Sequence, residues 1–200
     1  SDGKELFAYL PRAVATKAPL LALPDYTHLP FVDATPAVEE AQFTADDGAT
    51  TWKTVLASGM GGGAQGIFAL DVTDPDAFDR SKVLFEFTDQ DDVDMGNVIG
   101  QPKLVRIKQA GAAASAPQYR WYVAVSSGYN NYQADGAASS DGRQALFLLS
   151  LDKPAGSAWA EGTNYYKMKV AAPSSTRAAA LANPGVAKDV FGNAVLFYAG

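Results

Sequence analysis

The chain has 200 residues, a net charge of −6 and a sequence pI near 4.7, and 48% of its residues are hydrophobic. This acidic balance argues against a nucleic-acid surface and a polybasic membrane contact, and no apolar run reaches the roughly 18 residues of a membrane-spanning helix. The absence of cysteine excludes disulfides and thiolate metal sites, and the single histidine, His28, excludes multi-histidine metal sites.

The predicted strands form a repeating series along the chain. Residues 6–10 resemble the apolar strand at 66–72 and are predicted to belong to an earlier unit. The first whole unit has a proline-bearing, a tryptophan-led, an apolar and a closing strand, predicted at 32–36, 52–59, 66–72 and 82–87. The same series returns at 99–102, 121–128, 145–151 and 165–170, and a third unit starts with 181–184 and 194–200.

These segments have the composition of β-strands. They are short, rich in β-branched and aromatic residues, and bounded by Gly, Pro, Asn and Asp. Met168 and Val170 alternate with Lys167 and Lys169, which is the period of a half-buried strand. By contrast, residues 123–125 are continuously apolar, which suits a strand covered on both faces.

Four strands in each repeated unit predict an all-β fold, a segment of a β-propeller with four-stranded antiparallel blades. The unit of about 70 residues is longer than the 40–45 of WD40 blades, because its connections are long. We expect 1–25 to end one blade, 26–96 and 97–175 to form the next two, and 176–200 to start another. Since a propeller closes with roughly 4–8 blades, we expect a segment of a longer polypeptide.

The densest acidic run, residues 89–96, is a candidate calcium loop. Calcium loops use alternating carboxylates, which makes Asp89, Asp91 and Asp94 the candidate ligands. The EF-hand register fails, however, because the fifth position counted from Asp89 is Val93. A solvated loop is the simpler interpretation.

Other motifs have structural interpretations. Residues 61–66 match G-x-G-x-x-G, but a strand follows where a nucleotide site needs a helix, so we predict a hairpin connection. Asp33, Asp71 and Asp74 are expected to bond backbone amides at strand ends. No serine lies in a nucleophile motif, and no catalytic residue or cofactor is predicted. Three aromatic side chains are assigned to the core or to blade interfaces: Trp52, Trp121 and Trp159.

Several segments, in the same order along the chain, resemble the PilC/PilY family of type IV pilus proteins. The segments are 3–12, 26–36, 52–56, 66–73, 85–89, 100–102, 128–130 and 198–200. The resemblance implies a modified, quinoprotein-like propeller at the carboxy terminus of an exported, non-enzymatic protein. Such proteins act in pilus biogenesis by opposing retraction, and they serve as adhesins at the pilus tip or outer surface. The implied partners are pilins, minor pilins, the pilus machinery and a host or surface receptor of unspecified chemistry.

One departure from the family concerns calcium. The resemblance implies a calcium loop just before the final segment, at residues 183–194 of this chain. Only Asp189 remains there as a carboxylate. Because calcium is normally bound by several carboxylate and carbonyl oxygens, we expect no strong site at Asp189.

Two other functions remain open at this stage. A dehydrogenase that uses pyrroloquinoline quinone shares the blade type, although its usual cysteine pair and tryptophan repeats are absent here. A surface propeller that binds glycans is the second alternative.

Overall fold

The computed structural model describes residues 2–44, 49–111, 119–132, 137–170 and 179–199, which fold into antiparallel sheets. The first sheet consists, in order, of β1 (Ala37–Thr44), β2 (Thr50–Gly59), β3 (Gly66–Asp71) and β4 (Val83–Thr88). The second consists of β5 (Lys103–Lys108), β6 (Tyr119–Ser126), β7 (Ala145–Ser150) and β8 (Tyr165–Lys169). A third sheet pairs β9 (Pro184–Lys188) with β10 (Ala194–Ala199). The predicted all-β fold with four-stranded antiparallel sheets is confirmed.

The third strand of each four-stranded sheet is buried on both faces. Every residue of β3 and of β7 is buried. One face of each strand contributes to a shared core between the two sheets. The opposite face of β3 packs against the amino-terminal segment, including Val14 of the short helix α1 (Arg12–Ala15), and that of β7 packs against the third sheet. This double coverage explains why these strands are apolar at successive positions.

Aromatic side chains fill the outer part of the core between the two sheets. The ring of Phe87 on β4 lies 5.5 Å from that of Phe147 and 5.2 Å from that of Tyr165, both on the second sheet. Trp159, on the β7–β8 connection, lies 5.0 Å from Phe87, and its Nε1 donates to the carbonyl of Glu86 at 3.1 Å. The β7–β8 connection of the second sheet therefore fills part of the core beside β4 of the first sheet.

The strand predicted at residues 6–10 does not form. In the described part of the chain no strand pairs with this segment, and it lies across the outer face of the first sheet. Phe7 stacks on Phe78 with ring centroids 4.0 Å apart, and the Tyr9 hydroxyl donates to the Glu86 carboxylate at 2.5 Å. The apolar pattern therefore reflects aromatic packing without ladder pairing.

The strands predicted around the prolines start later than expected. The stretches 32–36 and 99–102 precede the strands, which begin at Ala37 and Lys103, and Pro184 is the first residue of β9. Proline has no N–H to donate to a ladder, so it is confined to strand starts and edges.

The alternation along β8 is present, but the lysine face is the one turned inward. Lys167 and Lys169 are partly buried, whereas Met168 is 44% exposed. The cause lies outside the strand. The acidic run at residues 89–96 places the buried carboxylates of Asp92 and Asp94 against the two lysines.

A substitution at Gly128 tests how closely the segment between β4 and β5 approaches the end of the second sheet. Gly128 has φ +77°, and a Cβ built there would lie 1.8 Å from the carbonyl oxygen of Asn97 in the segment between β4 and β5. Gly156 has nearly the same φ, +76°, with open space around it. We expect Gly156→Ala to cost about 1–2 kcal/mol of unfolding free energy through backbone strain alone. Gly128→Ala should cost about 1–3 kcal/mol more, because the two backbones must separate.

The comparison is made by denaturant unfolding of the protein that contains this chain, followed by tryptophan fluorescence. Equal losses for the two variants would contradict the close approach at Gly128.

Candidate functional site

The segment that crosses from β4 to β5 lies between the two sheets and bonds to both. The Asn97 backbone N–H donates to the carbonyl of Tyr129 at 2.7 Å, and its side-chain Nδ2 donates to the carbonyl of Gly61 at 2.8 Å. The Gly96 N–H donates to the carbonyl of Ser127 at 3.0 Å. The crossing segment therefore acts as an additional pairing element at one end of both sheets.

The acidic run on this segment faces the two lysines of β8. Because side chains alternate along a strand, Lys167 and Lys169 lie on the same face. Lys167 Nζ lies 2.9 Å from Asp92 and 2.8 Å from Asp94. Lys169 Nζ lies 3.0 Å from Asp94 and 3.0 Å from Asp141, which belongs to the connection before β7. The side chains of Asp92 and Asp94 are only 4% and 3% exposed, so the carboxylates of these ion pairs are buried between the crossing segment and β8.

The buried carboxylates also accept hydrogen bonds from neutral groups. The Tyr165 hydroxyl donates to Asp92 at 2.8 Å, and the Asp94 backbone N–H donates to the same side chain at 3.0 Å. The Ser139 hydroxyl donates to Asp94 at 2.7 Å. Buried charges are tolerated when paired and hydrogen-bonded in this way, and we call the cluster of Asp92, Asp94, Asp141, Lys167 and Lys169 the junction cluster.

The junction cluster shifts the pKa values of its members in opposite directions. Burial pushes the pKa of Asp94 upward, but hydrogen bonds from Lys167, Ser139 and Lys169 outweigh burial and hold that pKa below its usual value. Burial pushes the pKa of Lys167 downward, and its bonds to Asp94 and Asp92 raise it overall. For the more exposed Asp141, the Arg143 backbone N–H and the Lys169 ammonium lower the pKa to about 2.

The calcium candidates of the acidic run do not come together as a metal site. Asp91 accepts the Thr88 backbone N–H at 2.9 Å, and Asp89 accepts the Gln90 side chain at 3.3 Å and the Ala137 backbone N–H. Within the described ranges, no three or more Asp, Glu or His side chains are grouped so that they could hold a metal ion. Asp94 already faces two ammonium groups, and a divalent cation would have to displace them.

Asp189, the remaining candidate, organises the turn between β9 and β10. Its carboxylate accepts the backbone N–H groups of Phe191 at 2.9 Å and Asn193 at 2.8 Å, and the Asn193 side chain at 2.9 Å. The hydrogen bonds from Asn193, with smaller contributions from the Phe191 N–H and the Arg106 guanidinium, lower the pKa of Asp189. With its oxygens satisfied by protein donors, this single carboxylate does not fit a calcium ion, which takes 6–8 oxygen ligands.

The glycine-rich motif and His28 lie in structural surroundings. Residues 61–63 form a 3₁₀ turn between the antiparallel strands β2 and β3, and the Gly62 N–H donates to Asp33 at 2.8 Å. His28 is exposed and makes an edge contact with the Tyr26 ring at 6.5 Å between centroids. The glycine motif is therefore a strand connection, and Asp33 bonds a backbone amide as expected.

The tryptophans lie at the junction of the two sheets. Trp121 and Trp159 pack against the shared core, and Trp52, which is 54% exposed, makes an edge contact with Trp121 at 5.9 Å between ring centroids. The interface assignment therefore agrees with the packing.

The interior role of Lys167 and Lys169 was missed in the sequence. Strand periodicity shows which residues share a face but not which face is inward. The available signal was the pairing of two lysines at alternate positions with an acidic run of similar spacing, and only the fold shows that these segments meet.

Comparison with known proteins gives consistent matches. The family described as the PilY1 beta-propeller domain matches residues 21–200. A type IV pilus biogenesis factor PilY1 homolog of Xylella fastidiosa is 35% identical over 149 residues, 74% of this chain. The type IV pilus biogenesis factor PilY1 of Pseudomonas aeruginosa strain UCBPP-PA14 is 36% identical over 154 residues, 76% of this chain. These names describe pilus biogenesis factors and not enzymes.

The chain corresponds to a small part of these relatives. It spans 9% of the Xylella protein and 11% of the Pseudomonas protein. The crystal structure of the Pseudomonas aeruginosa PilY1 C-terminal domain superposes with a TM-score of 0.67 and 27% identity, over 100% of this chain and 33% of that one. Among the residues that the structure describes, no helix has the length and apolar character needed to cross a membrane.

Removing one lysine of the junction cluster tests its contribution. Lys167→Met keeps much of the side-chain volume but removes the ammonium group. Asp92 then loses its lysine partner, and Asp94 keeps only its ion pair with Lys169. We expect a loss of about 3 kcal/mol in unfolding free energy, because breaking a buried pair leaves a buried charge uncompensated. Lys108→Met, at an exposed strand position, is the matched control and should change stability by less than about 0.5 kcal/mol.

The loss should depend on pH. Because the folded-state pKa of Asp94 is lowered, its stabilisation is present above the unfolded value of about 3.9 and disappears as pH falls through the folded value. The gap between wild type and Lys167→Met should therefore narrow below about pH 4. A gap that stays constant from pH 7 to pH 3 would show that the lysine acts through packing alone.

Proposed function

Because the chain belongs to the PilY1 β-propeller domain family, we propose that it is a module of a type IV pilus biogenesis factor that works by binding and not by catalysis. The observation that carries the proposal is the family match over residues 21–200, together with relatives named as biogenesis factors. The proposal also treats 26–96 and 97–175 as two blades, with 1–25 and 176–200 belonging to flanking blades. The positions of β1–β4 and β5–β8 within these ranges support that division.

The geometry suits a module that transmits or resists force. The two sheets share one core, the crossing segment bonds to both, and the junction cluster pairs charges between the acidic loop and β8. Breaking such a junction requires apolar surface and buried charges to be exposed together, which makes separation of the sheets costly. A rigid scaffold that presents loops is consistent with binding to a filament or its assembly machinery.

The finer proposal concerns location and action. The protein is exported and acts at the cell surface or pilus tip, where it binds pilins or minor pilins and opposes retraction of the pilus. It also serves as an adhesin for a surface or host receptor. The family resemblance and the pilus names of the relatives support this proposal.

A genetic experiment tests this function at the level of the module. Residues 21–200 are deleted in frame in the bacterium that encodes the chain, once in a normal strain and once in a strain without the retraction motor. Surface pili are then counted by electron microscopy. If the module opposes retraction, pili should be lost in the first strain and return in the second, because nothing then withdraws them.

Point variants test whether the module has to be folded to act. Complementation with Lys108→Met should restore pili, whereas Lys167→Met should restore fewer, in proportion to its loss of folded protein. An unchanged pilus number in both deletion strains would contradict the proposed function. Pili absent from both strains would contradict the opposition to retraction and would favour a role in assembly itself.

A further inference from the structure

The turn between β9 and β10 is tightly bonded within itself. Residues 189–193 form the turn, and the Asp189 backbone N–H donates to the carbonyl of Asn193 at 2.8 Å. The Gly192 N–H donates back to the carbonyl of Asp189 at 3.0 Å. Together with the carboxylate bonds of Asp189, these contacts direct several backbone donors of the turn toward its own interior. The backbone carbonyl oxygen of Phe191 and the side-chain oxygen of Asn193 accept instead from a group outside the turn.

Arg106, on β5 of the second sheet, supplies that group. Its Nε donates to the side-chain oxygen of Asn193 at 2.9 Å, and its terminal nitrogen donates to the carbonyl of Phe191. The Arg106 guanidinium also lies over the Tyr119 ring, 4.7 Å from the centroid, which limits its freedom. A planar guanidinium held against an aromatic ring is well suited to donate to two oxygens at once.

We infer that Arg106 is a built-in cation that closes this turn, so that the β9–β10 hairpin keeps its shape without a divalent metal ion. Asn193, the acceptor of the Nε bond, is 3% exposed, so the contact lies at the interior end of the turn. Hydrogen bonds from Asn193 chiefly lower the pKa of the Asp189 carboxylate, and the positive charge of the guanidinium adds a smaller effect in the same direction.

The donor chemistry explains why the arginine and a metal ion are alternatives. A calcium ion takes 6–8 oxygen ligands, and in this turn the carbonyl oxygen of Phe191, the amide oxygen of Asn193 and the Asp189 carboxylate are oxygens of the type it binds. The first two oxygens already accept from Arg106, and the Asp189 oxygens accept from N–H groups of the turn. The resemblance to PilC/PilY proteins implies a calcium loop at this place, and in this chain a guanidinium from the neighbouring sheet stands there instead.

The arginine also ties the third sheet to the second. Val186 and Phe197 pack against the outer face of the second sheet, and the Arg106 contacts add a polar connection at the end of the hairpin. The tip residues Val190 and Phe191 are 93% and 74% exposed, so the turn places two large apolar side chains at the surface. This inference concerns the hairpin alone and does not depend on the pilus function.

Hydrogen exchange measured by mass spectrometry tests the inference on the protein that contains this chain. The readout is the exchange rate of a peptide covering 184–199, with a peptide covering β2 and β3 as the internal measure of global folding. In the wild-type protein, excess EDTA and millimolar calcium should give the same rate for the hairpin peptide. Arg106→Gln should raise that rate at least tenfold, because two charge-assisted hydrogen bonds are lost.

Arg80→Gln, at an exposed turn of the first sheet, is the matched control and should leave the hairpin rate unchanged. If Arg106→Gln also accelerates the β2–β3 peptide, Asn193→Ala replaces it. This variant removes the acceptor of the Nε bond together with the Asn193 Nδ2 donor to Asp189, and it should still raise the hairpin rate. A wild-type hairpin that exchanges faster in EDTA and is restored by calcium would overturn the inference. Wild-type exchange rates in both arginine and asparagine variants would overturn it as well.

Discussion

The structure depends on the packing of two four-stranded sheets face to face through a single apolar core. Phe87 of the first sheet meets Phe147 and Tyr165 of the second, and neither sheet has a core of its own on that side. Each sheet also needs cover on its opposite face, which the amino-terminal segment and the third sheet provide. The strands β3 and β7 are consequently buried throughout, and stacking of successive units is the source of stability.

This packing buries polar connections between the strands. Lysine and arginine side chains of the second sheet form ion pairs and hydrogen bonds with the oxygens of these connections. At the first junction, Lys167 and Lys169 meet the carboxylates of the acidic loop. At the second, Arg106 meets the oxygens of the β9–β10 turn. The chemistry differs in each case: ammonium groups pair with buried carboxylates, whereas a guanidinium bonds to neutral oxygens in a fixed geometry. In both cases a cation on a strand of the second sheet bonds oxygens of a neighbouring segment.

Sequence patterns predicted the sheets more reliably than the junctions. The repeated tryptophan-led and apolar segments correspond to β2, β3, β6 and β7. The signal is most continuous in β3 and β7, where burial on both faces leaves an uninterrupted apolar run. The proline stretches 32–36 and 99–102 and residues 6–10 were wrongly predicted as strands, since a local pattern does not show whether a ladder partner exists. The inward face of β8 was invisible for a related reason: Lys167 is interior only because Asp92 and Asp94 reach it from a loop far away in the chain. Arg106 carried no signal, since its partners belong to the next sheet.

A double-mutant cycle between Asp94 and Lys167 tests the central claim most directly, namely that a cation from β8 and a carboxylate from the crossing segment hold the sheets together. Unfolding free energies are measured for Asp94→Asn, Lys167→Met and the double variant in the protein that contains this chain. The account predicts that the double variant is less destabilised than the sum of the two single variants by about 1–3 kcal/mol. Additive losses, with no coupling between the two positions, would contradict it.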